Sequence, residues 1–185
     1  RIAAIVGGRA QVLALGGAAD LALDAGAADA LAWTRDGRLV VGGPGELRVW
    51  NLTDRTSLHF AVSRAAIDRL ALSDDGRILA VSQPRGGSIR TFDLQNNTQL
   101  AEIAAVGHEP ACALDPSGAT LAVLARGDAL VRLYDARTGE LRTTLRPGPP
   151  LLDIAFGPGD ALSLLTASGL LLHDPRGAST PVALD

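Results

Sequence analysis

The side chains best suited to chemistry are few in this chain. Three histidines, His59, His108 and His173, lie in the contexts "LHF", "GHE" and "LHD", and a single cysteine, Cys112, lies in "PACAL". Imidazole and thiolate bind metals or activate nucleophiles only when their spacing brings them onto one loop or one strand face. No two of these histidines share a ligand spacing, and Cys112 sits in an apolar run that suits a small buried hydrophobe. The adjacent carboxylates Asp74 and Asp75 fall in a turn, where aspartate serves backbone geometry. The sequence contains no GxSxG elbow, HExxH, CxxC or GxxxxGK[ST], and no GxGxxG between a strand and a helix. All 17 basic residues are arginine, so Schiff-base and P-loop lysines are absent as well. The expectation is therefore no catalytic residue, no metal and no cofactor. Two N-glycosylation patterns, "NLT" at 51–53 and "NNT" at 96–98, are short enough to arise by chance.

Composition narrows the class. The chain has 185 residues, 47% hydrophobic and 20% charged, which describes a globular protein with material for a core. Aromatics make up only 3%, so that core is built from small aliphatic side chains. A formal charge of -3 gives no global attraction to nucleic acid or to anionic lipid. One cysteine cannot form an internal disulfide, no apolar run approaches the ~20 residues of a membrane span, and no basic region precedes an apolar stretch as in a signal peptide. A cytoplasmic protein without a membrane association is the expectation.

The elements that must position these side chains repeat. "ELRVWN" (46–51), "SIRTFD" (88–93), "LVRLYD" (130–135) and "LLLHDP" (170–175) align on Trp50, Phe92, Tyr134 and His173, at intervals of 42, 42 and 39 residues. The turns "TRDGRLVV", "SDDGRILAV", "DPSGATLAV" and "GPGDALSLL" place Gly37, Gly76, Gly118 and Gly159 at intervals of 39, 42 and 41. Two markers with one period of about 40 residues identify a repeat architecture. Within a unit the pattern has period two and is broken by turns: "IDRLALS", "ILAVS", "SIRTFDL" and "QLAEIAA" are four short strands separated by "DDGR", "QPRGG" and "QNNT". The second strands, such as "LVVGG" and "ILAVS", are apolar on both faces and so must be covered on both sides by neighbouring sheets.

Four-stranded units of this length, a glycine turn after the first strand and an aromatic-Asp pair closing the third resemble the blades of WD-repeat β-propellers. The resemblance covers essentially the whole chain and is strongest in the fourth unit, where "GH" at 107–108 precedes "GDALVRLYD". It implies an all-β propeller of four-stranded antiparallel blades: an incomplete one at about 1–27, then about 28–65, 66–108, 109–149 and 150–185. The first unit supplies three strands and lacks a first strand. The chain begins at Arg1 and contains no Met, so a fragment of a larger, seven-bladed ring is expected over a self-contained five-bladed ring or an oligomer, with further blades or a domain upstream.

The resemblance also implies that His108, Asp128 and Tyr134 belong to the family's structural hydrogen-bond network. The serine that the family places on the second strand is missing from "LAVLA". The other units lack the GH, and their aromatic-Asp pairs read Trp50-Asn51, Phe92-Asp93 and His173-Asp174. Tyr134 is expected to pack between blades, and Asp135 to accept backbone N–H groups in "DARTGE".

In such a ring the turns into each blade share one rim with the turns between second and third strands. Arg9, Arg64, Arg85, Arg126 and Arg146 fall on those turns, whereas Asp36, Asp74, Asp75, Asp115 and Asp160 fall on the opposite rim. A basic rim of this kind suits an acidic segment of a protein partner, with arginine donating paired hydrogen bonds to carboxylates. Its few aromatics offer little stacking for nucleic acid. The leading expectation is a non-catalytic protein-interaction scaffold. The alternative is a propeller enzyme or small-ligand binder with its site at the mouth of the central channel, and the aliphatic first strands "ALAW", "LALS", "ACALD" and "DIAF" weigh against it.

Overall fold

The computed structural model describes residues 2–13, 21–23, 27–62, 65–83, 88–104, 110–125, 129–148, 150–157, 161–173 and 179–182. They form five antiparallel sheets that follow one another along the chain. The first sheet has three strands, β1 (Ile2–Val6), β2 (Arg9–Leu13) and β3 (Leu21–Ala22). The second comprises β4 (Ala30–Trp33), β5 (Leu39–Gly43), β6 (Glu46–Asn51) and β7 (Thr56–Ala61). The third comprises β8 (Arg69–Leu72), β9 (Ile78–Gln83), β10 (Ser88–Asp93) and β11 (Thr98–Ile103). The fourth holds β12 (Ala111–Leu114), β13 (Thr120–Leu124), β14 (Val131–Asp135) and β15 (Leu141–Leu145). The fifth holds β16 (Leu151–Phe156), β17 (Leu162–Thr166), β18 (Gly169–His173) and β19 (Ser179–Val182). Among the described residues no helix is long and apolar enough to cross a membrane.

Each four-stranded sheet is a meander in which sequential strands pair. The glycines at the first turns adopt positive φ, 86° at Gly37, 66° at Gly76 and 70° at Gly118, a conformation costly for residues with a Cβ. The apolar side chains pack between sheets rather than within them. Ile78, Ala80 and Ile89 of the third sheet meet Cys112, Leu121, Val123 and Tyr134 of the fourth. Val40 and Val49 of the second meet Leu79, Val81 and Phe92 of the third in the same way. Every residue of β5 and β9 is buried, as strands covered on both faces must be.

Candidate functional site

Each of the second, third and fourth sheets secures its first turn with one buried polar side chain. Thr34, Ser73 and Asp115 occupy the same position just after the first strand and are all buried. The Ser73 hydroxyl donates to Asp75 at 2.6 Å and accepts the N–H of Ile78 at 2.9 Å. Thr34 likewise donates to Asp36 and accepts the N–H of Arg38 at 2.9 Å. Asp115 does the same work with a carboxylate, accepting the N–H groups of Ala119 at 2.8 Å and Thr120 at 3.1 Å. Asp115 is thus 6% exposed and faces its own turn. This corrects its expected place on an acidic rim: turn geometry places its carboxylate over donors that would otherwise be unpaired. Asp36 and Asp75 are also held within their turns, and Arg35 lies 4.0 Å from Asp74, so that rim is of mixed sign. Asp160 is outside the described residues.

The turns after the third strands carry the aromatic-Asp pairs. Asp93 accepts the N–H groups of Gln95 and Asn96 at 2.9 and 3.0 Å, and the guanidinium of Arg77 at 2.8 Å. That guanidinium and the two N–H donors hold the Asp93 carboxyl down from its ordinary 3.8 to about 2. Asp135 accepts Arg137 and Thr138 N–H at 2.8 and 2.9 Å, with Arg142 at 2.5 Å. The N–H of Thr138 and the Arg142 guanidinium bring its carboxyl to about 2 as well. At the equivalent place Asn51 accepts the N–H of Thr53 at 3.0 Å and donates to Asp54.

Trp50, Phe92 and Tyr134 each turn toward the preceding sheet. Trp50 packs with Val12 and Leu23, Tyr134 with Ile78 and Ile103, and Phe92 sets its ring edge-on to Phe60 at 5.4 Å between centroids. His173, half-buried, pairs with Leu162 across β17–β18. His59 lies on exposed positions of β7, two sheets away from Cys112. His108 and Asp128 lie outside the described residues.

On the expected basic rim, Arg9 at the start of β2 and Arg146 after β15 are exposed, while Arg64, Arg85 and Arg126 lie outside the described residues. The two sets of turns on this rim do meet: the Ala28 N–H donates to Gly8 O at 2.8 Å, Val62 to Gly45 O at 3.3 Å, and Gln83 Nε2 to Ala65 O at 2.9 Å. Asp29 accepts the N–H of Ile67 at 3.2 Å and Ser82 Oγ donates to Pro110 O at 3.0 Å, tying successive sheets together. Sequence reasoning passed over Arg48, Arg90 and Arg132, although they keep the 42-residue register of the aromatics two residues on. All three are half-buried, and Arg48 and Arg90 pair with Glu46 and Glu102 at 3.0 Å.

The first strands of successive sheets lie beside one another and enclose the inner mouth of this rim. There Arg69 of β8 reaches over the fourth sheet to Asp153 of β16, at 2.9 and 3.2 Å from its two carboxylate oxygens. An open cavity of about 470 Å³ adjoins it, lined by Ala3 to Ile5, Asp29 to Leu31, Asp68 to Leu70 and Cys112. Burial pushes the Cys112 thiol up to about 12, so it is not a thiolate near neutral pH. Among the described residues no three His, Cys, Asp or Glu side chains come together as metal ligands would.

Successive four-stranded meanders packed face to face, with their first strands innermost, define a β-propeller. The fold is that of WD-repeat propellers. A chain of a mitotic checkpoint complex superposes with a TM-score of 0.74 at 20% identity, over 96% of this chain and 58% of its own length. The β-propeller domain of Cps50 (Swd1) from Myceliophteria thermophila superposes with a TM-score of 0.63 at 19% identity, over 76% of this chain and 48% of its own. The chain therefore spans about half the length of these two structures. No family model and no curated protein matches the sequence.

Proposed function

We propose that this chain is part of a non-catalytic interaction scaffold, which presents the rim carrying Arg9 and Arg146 to an acidic segment of a protein partner. The observation that carries the reading is the contrast between groups that are engaged and groups that are open. At the channel mouth the thiol is inert, Arg69 is paired with Asp153, and Asp29 accepts a backbone N–H. Arg9 and Arg146 stand exposed on the rim, and by sequence Arg64, Arg85 and Arg126 fall between β7 and β8, β9 and β10, and β13 and β14, outside the described residues. One structural neighbour is itself part of a protein complex, which supports the same class of function. The lone buried cysteine suits a reducing compartment, and we place the protein in the cytoplasm on that ground.

The test compares partners captured by the wild-type chain with those captured by the Arg64→Glu, Arg85→Glu, Arg126→Glu triple variant, together with anisotropy of a labelled glutamate-rich peptide across a salt series. The triple variant is expected to lose the principal partner and the peptide, and peptide binding to the wild type is expected to weaken as salt screens the rim. Identical partner sets would reject the reading.

A further inference from the structure

The outer strand of each sheet is an edge, and an edge strand offers unpaired N–H and C=O groups to any extended chain that meets it. Most of these edges carry a guard. β11 and β15 each slip in register against the third strand and each carry a charge, Glu102 and Arg142. β19 contains Pro181, which has no N–H to donate, and β3 is two residues long. β7 is the exception among the described outer strands. It runs from Thr56 to Ala61 with no charged residue, no proline and an unbroken register against β6. Leu58 within it is 40% exposed.

The free backbone groups of β7 follow from its ladder. The N–H of Val62 donates to Gly45 O in the register that continues the β6–β7 pairing. Hydrogen-bonded pairs alternate along an antiparallel ladder, so Phe60 and Leu58 bond inward to Leu47 and Val49. The N–H and C=O groups of Ser57, His59 and Ala61 therefore point away from β6. Leu58 shares the face of Phe60, which packs toward the third sheet.

A second observation marks one end of this edge. Arg55, in the turn before β7, has φ 58°, and at the 42-residue spacing of the units stand Asn97 and Gly139, types that take this conformation more readily. Arginine is a strained choice there, and its side chain is exposed without a partner among the described residues. The neighbouring carboxylate of Asp54 serves the turn instead, accepting Asn51 Nδ2 at 3.0 Å and the N–H and hydroxyl of Thr56 at 3.0 and 2.7 Å.

We infer that β7 is a docking edge for an extended segment of a protein partner, which adds a fifth strand antiparallel to β7 and brings a carboxylate to Arg55. The segment alternates: small polar residues pair with Ser57, His59 and Ala61, and β-branched apolar ones lie beside Leu58 and Phe60. Its acidic residue follows the one paired with Ser57, where the antiparallel direction leads to Arg55. Charge complementarity selects such a partner over a second copy of this chain. β7 paired antiparallel with its own copy brings Ala61 and Val62 toward Arg55, and neither supplies a counter-charge. This edge is a different surface from the basic rim, and the inference does not rest on the function proposed for that rim.

The test titrates a labelled Thr-Val-Thr-Val-Thr-Glu-Glu peptide with the chain. Saturating peptide is expected to slow amide exchange at Ser57, His59 and Ala61 by roughly tenfold or more, and to leave Leu58 and Phe60, already bonded to β6, unchanged. His59→Pro removes one outward N–H, a change that an edge strand accepts, and is expected to keep a cooperative melt and lose the peptide. Arg55→Gly separates binding from folding: it is expected to melt no lower than wild type while binding the peptide roughly tenfold more weakly. Arg55→Glu is expected to lose the peptide and to recover binding when the two glutamates of the peptide are exchanged for arginines. Should His59→Pro fail to fold, the exchange pattern and the charge exchange decide. Absence of peptide binding to the wild type, unchanged binding in both Arg55 variants, or a charge exchange that recovers nothing overturns the inference. So does protection of the same three amides that grows with the concentration of the chain alone, since a second copy would then hold the edge.

Discussion

The third and fourth sheets solve one problem from opposite flanks. In both, the register slips just before the aromatic, between Thr91 and Phe92 and between Leu133 and Tyr134, and the next residue is an aspartate that accepts two backbone N–H groups. In the third sheet the neutralising guanidinium comes from Arg77 at the head of the second strand. In the fourth that position is Ala119, and Arg142 reaches in from the outer strand, where the third sheet has Leu100. Both carboxyls fall to about 2. The second sheet shows the corner without the charge: Asn51 replaces the aspartate, the β6–β7 register runs without a slip, and Arg38 turns to Asp36. A corner carboxylate thus needs one arginine, and either neighbouring strand can supply it.

The largest effect that would break this equivalence is at the aromatics beside the two corners. Phe92→Ala removes a fully buried ring and is expected to cost roughly 3–5 kcal/mol in urea denaturation. Tyr134→Ala, at 9% exposure, is expected to fall at or below the lower end of that range, and a larger loss for Tyr134 would invert the comparison.

Next come the carboxylates. Asp93→Asn is expected to cost about 1.5–3 kcal/mol, the scale of hydrogen bonds to a charged group, and Asp135→Asn less because its corner is more open. Both carboxyls are depressed from 3.8 to about 2, so their contribution is complete above pH 3.8 and is lost as pH falls toward 2. The urea midpoint of the wild type should drop across that window, and the drop should shrink in Asp93→Asn. An identical acid profile for the two proteins would detach the corner from acid stability.

The smallest effect sharpens the comparison most. Ala119→Arg combined with Arg142→Leu rebuilds the third sheet's solution in the fourth and should restore stability to within about 1 kcal/mol of wild type, whereas Arg142→Leu alone should lie below it. A double variant no better than the single one would show that the flank matters.

The sequence made the repeat legible wherever one residue does its work within a short stretch. Glycines 37, 76 and 118 stand out because only a residue without Cβ takes their positive φ cheaply, and the aromatics stand out because each fills a junction between sheets. Asp135 could be assigned its turn for the same reason. What was not legible depends on reach. Arg77 and Arg142 are 16 and 7 residues from their carboxylates, and Arg69 is 84 from Asp153, so no local pattern announces any of them. Thr34, Ser73 and Asp115 share a register but not a residue type, and turn position alone put Asp115 on an acidic rim although its carboxylate is spent on the N–H groups of its own turn.

The stacking of the first turns has a consequence for ancestry. A Cβ on Gly76 would come within 3.0 Å of Thr34, and one on Gly118 within 2.9 Å of Ser73 and 2.8 Å of Ile78. At these two joints the bare glycine of one unit is a socket and the hydroxyl-bearing residue of the unit before it a knob, Thr34 against Gly76 and Ser73 against Gly118, and the third unit carries both. A gene segment encoding such a unit holds both halves of its own joint, so a tandem copy arrives already able to dock on its parent. The residue at the aromatic position, by contrast, differs in every unit: Trp50, Phe92, Tyr134 and His173.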